Sequence, residues 1–149
     1  MNTHRLRIPA RPWVVVLLLL PAACGRGRLP LCERESFAGE VTIRAERGSE
    51  VHELHGTLAF DRAKGTLSWA SERDGHRIEL RHGVQAGLSK SIDGAAAEPG
   101  AEDLADFTLL QQITAAAVPS GAELRWEERG YVIQLGEQRI TVKGLPAGG

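Results

Sequence analysis

The feature that most limits the fold of this chain is an alternation of apolar and polar residues at every second position. Val41, Ile43 and Ala45 alternate with polar neighbours, and similar segments recur from residue 37 to residue 143. A period of two places the apolar side chains on one face of a β-strand. We therefore expect strands that are buried on one side and exposed to solvent on the other.

About eight segments carry this alternation, and short turns join most of them. The turns contain glycine or Asp-Gly, as in Arg47-Gly48-Ser49 and Arg73-Asp74-Gly75, and such residues favour β-hairpins. Consecutive hairpins predict an antiparallel meander. The expected strands lie at 37–46, 51–62, 67–71, 78–82, 84–88, 123–127, 131–135 and 139–143.

One segment has a helical period instead. Residues 101–118 carry apolar side chains at intervals of three and four, acids near the start and Pro119 after the end, which is typical of an amphipathic helix. We predict a mainly β (α+β) fold: a curved antiparallel meander sheet or half-barrel of about eight strands, covered by this helix. The expected apolar stripe is Leu104, Phe107, Leu110, Ile113 and Ala117.

The N-terminus has the features of a signal peptide. Three arginines lie within residues 1–12, an apolar run of eight covers residues 13–20, and small residues follow Pro21. This order of a basic head, a short apolar middle and a small-residue exit is typical of secretory signals. The run is too short for a spanning helix, which needs roughly 20 apolar residues. We assign residues 1–23 to the signal peptide.

The stretch Leu20-Pro21-Ala22-Ala23-Cys24-Gly25 resembles the lipobox of bacterial lipoproteins, with Pro21 where leucine is commonest. The resemblance implies that Cys24 carries a covalent diacylglycerol and becomes the mature N-terminus. It also implies an outer-membrane location facing the periplasm, because Gly25 stands where aspartate retains lipoproteins at the inner membrane. An alternative is cleavage after Gly25, which gives a secreted or periplasmic protein without a lipid.

The remaining boundaries follow from composition. Residues 24–36 are expected to form a lipidated linker, residues 37–145 a single β-rich domain and residues 146–149 a flexible tail. Cys32 is expected to be a thiol of the linker, or to pair with Cys24 where Cys24 is not lipidated. Removing the three arginines of residues 1–23 takes the formal charge from −1 to −4, which argues against a nucleic-acid partner.

Candidate catalytic motifs are weak. His52 and His55 flank Glu53, but they are three apart on an expected strand and so lie on opposite faces, whereas zinc hydrolases place two histidines four apart on a helix. His76 and His82 share a face without a placed cysteine or carboxylate. We find no phosphate-binding glycine loop and no nucleophile elbow. We expect no enzyme activity, no metal site and no cofactor other than the lipid on Cys24.

The order of several features resembles the lipoprotein carriers of the LolA/LolB type. These features are Gly65 to Trp69, the Asp93-Gly94 turn, Asp103 to Phe107, Trp126 and Leu145-Pro146. The resemblance implies a half-barrel whose helix-covered cavity takes an acyl chain. The candidate cavity residues are Phe60, Trp69, Phe107, Leu110 and Trp126.

The sequence therefore leaves two alternative hypotheses for the function. The first is a lipid-anchored envelope protein with an acyl-chain or lipid site between the sheet and the helix. The second is a lipid-anchored interaction or structural module, with a filled core and an envelope protein as its partner.

Overall fold

The computed structural model describes residues 29–115 and 118–146. In these ranges one antiparallel sheet is accompanied by a helix, α1, at Ala101–Thr114 and a single 3-10 turn at Leu31–Glu33. The strands are β1 Ser36–Arg47, β2 Glu50–Asp61, β3 Thr66–Arg73, β4 His76–Gly83, β5 Gly87–Ile92, β6 Ala95–Ala97, β7 Glu123–Glu127, β8 Gly130–Leu135 and β9 Gln138–Lys143.

The nine strands form one open sheet in the order β6-β5-β4-β3-β2-β1-β9-β8-β7, and all neighbours are antiparallel. The mainly β fold is confirmed in outline, with one α-helix in the part of the chain that the structure describes. The sheet is not one continuous meander. β1 to β6 form the first run and β7 to β9 the second, and the second run joins the first where β9 pairs with β1.

One face of the sheet carries the core, and we call it the dry face. Register brings Val41, Leu58, Trp69, Leu80 and Val142 to this face, and all five are at most 1% exposed. The opposite face, here called the outer face, is mostly polar. The alternation predicted from sequence is therefore confirmed for the central strands.

Two strand predictions are corrected. The fifth strand was expected at 84–88, but β5 begins at Gly87, and Val84 lies in a turn with 78% of its surface exposed. The chain turns there because Gly87 has a positive φ of 69°, which glycine adopts without a steric penalty. The short β6 was not predicted, because an Ala-Ala-Ala segment has no alternation.

The helix differs from its prediction in length and in rotation. It ends at Thr114 rather than at residue 118, and residue 117 of the expected stripe lies outside the described residues. Phe107, Leu110 and Ile113 are buried as expected, but Leu104 is 52% exposed. Its place toward the sheet is taken by two acids and Leu109: Asp103 is 1%, Asp106 4% and Leu109 4% exposed.

The segment before β1 also differs from the expectation of a linker through residue 36. Leu31 and Cys32 are buried, and the Leu31 amide donates a hydrogen bond to the Tyr131 hydroxyl at 3.0 Å. Arg62 donates to three main-chain oxygens of this segment, those of Leu31, Cys32 and Arg34, at 2.6–3.1 Å. Residues 31–34 therefore pack as part of the domain.

Candidate functional site

The five residues expected to line a cavity under the helix lie in or against the core. Trp69 and Leu110 are at most 1% exposed, and Phe60 and Phe107 are below 10%. Trp126 is partly buried against the same cluster, with its ring 5.5 Å from the ring of Tyr131. All five side chains therefore belong to the apolar core or pack against it.

Beside this apolar core, charged groups join the first half of α1 to the dry face. We call His52, Arg73, Lys90, Asp103 and Asp106 the helix ion cluster. Asp103 accepts hydrogen bonds from Arg73 at 3.1 Å and from Lys90 at 2.7 Å. Asp106 contacts Arg73 at 3.0 Å and the His52 Nε2 at 2.9 Å. The helix is thus held to β3 and β5 by ion pairs and to β2 by the contact between Asp106 and His52.

The two acids of this cluster differ in their pKa. Burial raises the pKa of Asp106, and its contacts with His52 and Arg73 offset this only in part. Burial also acts on Asp103, but hydrogen bonds from Lys90, the Gly100 amide and Arg73 outweigh it and hold the pKa of Asp103 below its usual value. Three donors converging on one carboxylate favour its charged form.

From the sequence these acids are predicted at the positive end of the helix dipole, and their pairing with the sheet was not predicted. The sequence does contain a sign of this pairing, since Asp103 and Asp106 are in phase with Phe107 and Leu110 on one helix face. On the strands, Lys90 is in phase with Leu88. Opposite charges on two faces that both point to the core indicate an ion cluster between them.

The histidines carry no metal site among the residues that the structure describes, where no group of three or more His, Cys, Asp or Glu is placed to hold an ion. His52 lies on the dry face and His55 on the outer face, where its Nδ1 is 2.8 Å from the Thr42 hydroxyl. The His82 ring lies 5.2 Å from the ring of Phe107. The prediction that His52 and His55, three residues apart on one strand, lie on opposite faces of the sheet is therefore confirmed.

His76 lies at a strand end and binds a turn residue. Its Nδ1 is 2.7 Å from the Asp93 carboxylate, and the same carboxylate accepts a hydrogen bond from the Arg77 amide at 2.9 Å. The hydrogen bond to Asp93 raises the pKa of His76, and the charges of Asp93 and Asp74 act in the same direction. This pair ties the β5–β6 turn to the start of β4.

Cys32 is a buried free thiol, 2% exposed. Burial raises its pKa, and the charge of Glu33 adds to the effect. A thiol that is shielded and protonated is a poor nucleophile. Cys24, the expected lipidation site, lies outside the described residues, as does the signal peptide.

A further opening lies on the outer face of the sheet, opposite the face that carries the helix. It has a volume of about 630 Å³, and we call it the outer cleft. Small residues from β1 to β5 line it, because register aligns Ala38 with Ala59, Ala59 with Ser68 and Gly83 with Gly87. Of the five cavity candidates only Phe60 contributes to it.

Longer side chains in ion pairs cover much of the outer face. Arg44 contacts Glu46 at 2.6 Å and Glu53 at 3.4 Å, while Glu79 receives hydrogen bonds from Arg77 and Arg81 at 2.9 and 3.1 Å. Such exposed pairs are typical of a solvated sheet face. The outer cleft, by contrast, is lined mainly by small residues, together with Arg81.

No protein-family model, curated protein or solved structure matches this chain. The resemblance to LolA/LolB-type carriers stays a prediction. Within the described residues, no helix has the length and apolar character needed to cross a membrane.

Proposed function

We propose that this chain is a lipid-anchored protein of the bacterial envelope, attached to the membrane through Cys24, and that its folded domain is an interaction module with a filled core. The anchor is supported by the sequence of residues 1–25, with its basic head, short apolar run and small residues before Cys24. Acylation at such a cysteine adds about 0.8 kcal/mol of membrane affinity per buried methylene, so several chains hold a domain stably.

The observation that favours an interaction module over a carrier is the contact between α1 and the sheet. Trp69 and Leu110 are closely packed there, and the helix ion cluster joins the first half of the helix to three strands. Lifting the helix for an acyl chain requires separating Arg73 and Lys90 from Asp103. Lifting the helix also exposes Trp69 and Leu110 to water, and the loss of these contacts opposes a carrier cycle under the helix.

Gly25 after the expected lipidated cysteine supports an outer-membrane location facing the periplasm. In this proposal the partner is another envelope protein or the membrane itself, and nucleic acid is not a partner. We propose no enzyme activity, because the side chains of His52, His76, Asp103 and Asp106 are engaged in contacts within the fold.

Metabolic labelling with radioactive palmitate tests the anchor. The full chain is expressed in a bacterial host, and the label and the membrane fraction are followed for the wild type, Cys24→Ala and Cys32→Ala. We expect label and membrane retention in the wild type and in Cys32→Ala, and loss of both in Cys24→Ala. Equal labelling of the two alanine variants, or no label in any form, contradicts the proposal.

A further inference from the structure

The outer cleft has the size and lining of a site for an apolar chain. Its volume of about 630 Å³ lies within the range of roughly 300–1,000 Å³ found for small-molecule sites. Ala38, Ala59 and Ser68 form its cross-strand row on the outer face, and Phe37 and Leu67, whose side chains register places on the dry face, also line it from β1 and β3. A solvated sheet face needs no such depression, since ordinary polar side chains cover it, as they do elsewhere on this face.

The start of the domain adjoins this cleft. Ser36 both begins β1 and lines the cleft. The segment just before it is fixed by Arg62, whose side chain binds three of its main-chain oxygens and whose amide donates to the Glu35 oxygen at 2.9 Å. The neighbouring Asp61 lines the cleft as well. The cleft and the N-terminal end of the folded domain therefore lie together.

The length of chain between Cys24 and the 3-10 turn at Leu31–Glu33 limits how far the start of the domain, and with it the cleft, lies from a lipid anchor. The chain from Cys24 to Pro30 has six steps, and a fully extended chain covers at most about 3.6 Å per residue, or roughly 20 Å. With Cys24 anchored, the start of the domain stays within that distance of the membrane surface. A phospholipid is then the apolar molecule present at the highest local concentration.

Arg81 supplies a polar group at the cleft that suits a phosphate. It lines the cleft, and 71% of its side chain is exposed. Among the described residues its guanidinium binds Glu79 alone, at 3.1 Å. A guanidinium carries five N–H donors, so others are available to phosphate oxygens.

We propose that the outer cleft binds an acyl chain of a phospholipid from the membrane that holds the anchor, with Arg81 at the phosphate. This inference rests on the proposed anchor at Cys24. It assigns lipid contact to the outer face of the sheet, away from the helix-covered face that the carrier resemblance implies.

Photo-crosslinking tests the site with the full chain reconstituted in vesicles of phosphatidylethanolamine and phosphatidylglycerol. The probe is a phosphatidylethanolamine with a diazirine on its acyl chain, and crosslinked peptides are mapped by mass spectrometry. We expect the lipid to crosslink to the strands that line the cleft, within residues 36–38, 59–68 and 81–89. If the crosslinks are confined to α1 or the dry face, or if the domain carries no crosslink, the inference is overturned. This result needs only the wild-type chain.

A matched pair of substitutions on β2 adds a second test. Ala59→Phe fills the cleft, whereas Thr57→Phe adds the same ring on the same face of the strand outside it. We expect Ala59→Phe to reduce cleft crosslinking several-fold and Thr57→Phe to leave it unchanged, with both folds checked by circular dichroism. Equal crosslinking in the two variants contradicts the site.

The inference and the proposed anchor fail in different ways. The mass of the N-terminal peptide in the same sample shows whether Cys24 carries lipid. A lipidated Cys24 with no crosslinks in the cleft overturns the phospholipid site alone. An unmodified Cys24 overturns the anchor and with it the argument for a local phospholipid, while capture of a second protein in place of lipid also counts against the site.

Discussion

Substituting Asp103 by alanine tests whether the helix ion cluster holds α1 to the sheet. Asp103 is 1% exposed and accepts hydrogen bonds from Arg73 at 3.1 Å, from Lys90 at 2.7 Å and from the Gly100 amide at 2.7 Å. In Asp103→Ala, Lys90 loses its hydrogen-bonded partner while only 11% of its side chain is exposed. The helix also loses the carboxylate that caps its first turn.

The size of the effect follows from these contacts. Removing one partner of a buried ion pair costs about 3–5 kcal/mol, because the other charge stays buried. Loss of a helix cap alone costs about 1 kcal/mol. Arg73 keeps Asp106 as a partner, so we expect a loss of about 3 kcal/mol in the free energy of unfolding. Against a total of about 5–15 kcal/mol for an ordinary domain, this is a large fraction.

Glu102→Ala is the matched control, on the adjacent residue of the same helix turn. Its carboxylate is 66% exposed and lies 3.4 Å from Arg73, and an exposed pair of this kind contributes at most about 1 kcal/mol. Urea unfolding followed by far-ultraviolet circular dichroism measures both variants. If Asp103→Ala loses no more stability than Glu102→Ala, the cluster does not fix the helix and the reasoning is wrong.

Two further substitutions test other contacts of the fold. Tyr131→Phe leaves the buried Leu31 amide without its acceptor, so we expect a loss of about 1–3 kcal/mol and faster hydrogen exchange at Leu31; unchanged exchange there contradicts docking of this segment. Asp93→Asn replaces the charged acceptor of the His76 hydrogen bond, which raises the pKa of His76, with a neutral amide oxygen, so an NMR titration should show the His76 pKa moving down toward the ordinary value of about 6.5. A smaller decrease is expected in Asp74→Asn, which acts through charge alone, and an equal one refutes the role of the hydrogen bond.

The sequence predicted most of the sheet because alternation reports directly on burial. Val41, Ile43, Leu58 and Trp69 are in phase along their strands, and all lie on the dry face. The pattern fails at Val84 and Ala86, which alternate within the exposed turn before β5. Periodicity alone does not distinguish a turn from a strand when both contain glycine.

The sequence predicted less of the contact between helix and sheet. Leu104 continues the apolar spacing of α1, yet it is exposed, while Asp103 and Asp106 face the sheet. Propensity and hydropathy assign such acids to solvent. Their burial depends on Arg73 and Lys90 lying opposite, and this pairing comes from the register of β3, β4 and β5, which no local pattern gives.

The outer cleft was also beyond prediction from the sequence. Its small residues come from separate strands, and none of them belongs to a recognisable motif in its own segment. Ala38, Ala59 and Ser68 become neighbours only through strand register. A depression that is formed by small side chains on neighbouring strands leaves no motif in the sequence.

The most direct test of the central claim is the intact mass of the mature protein purified from bacterial membranes, with its N-terminal peptide sequenced. The account predicts an N-terminus at Cys24 with a mass increase that corresponds to a diacylglycerol and its acyl chains. An unmodified N-terminus at Arg26, produced by cleavage after Gly25, contradicts it.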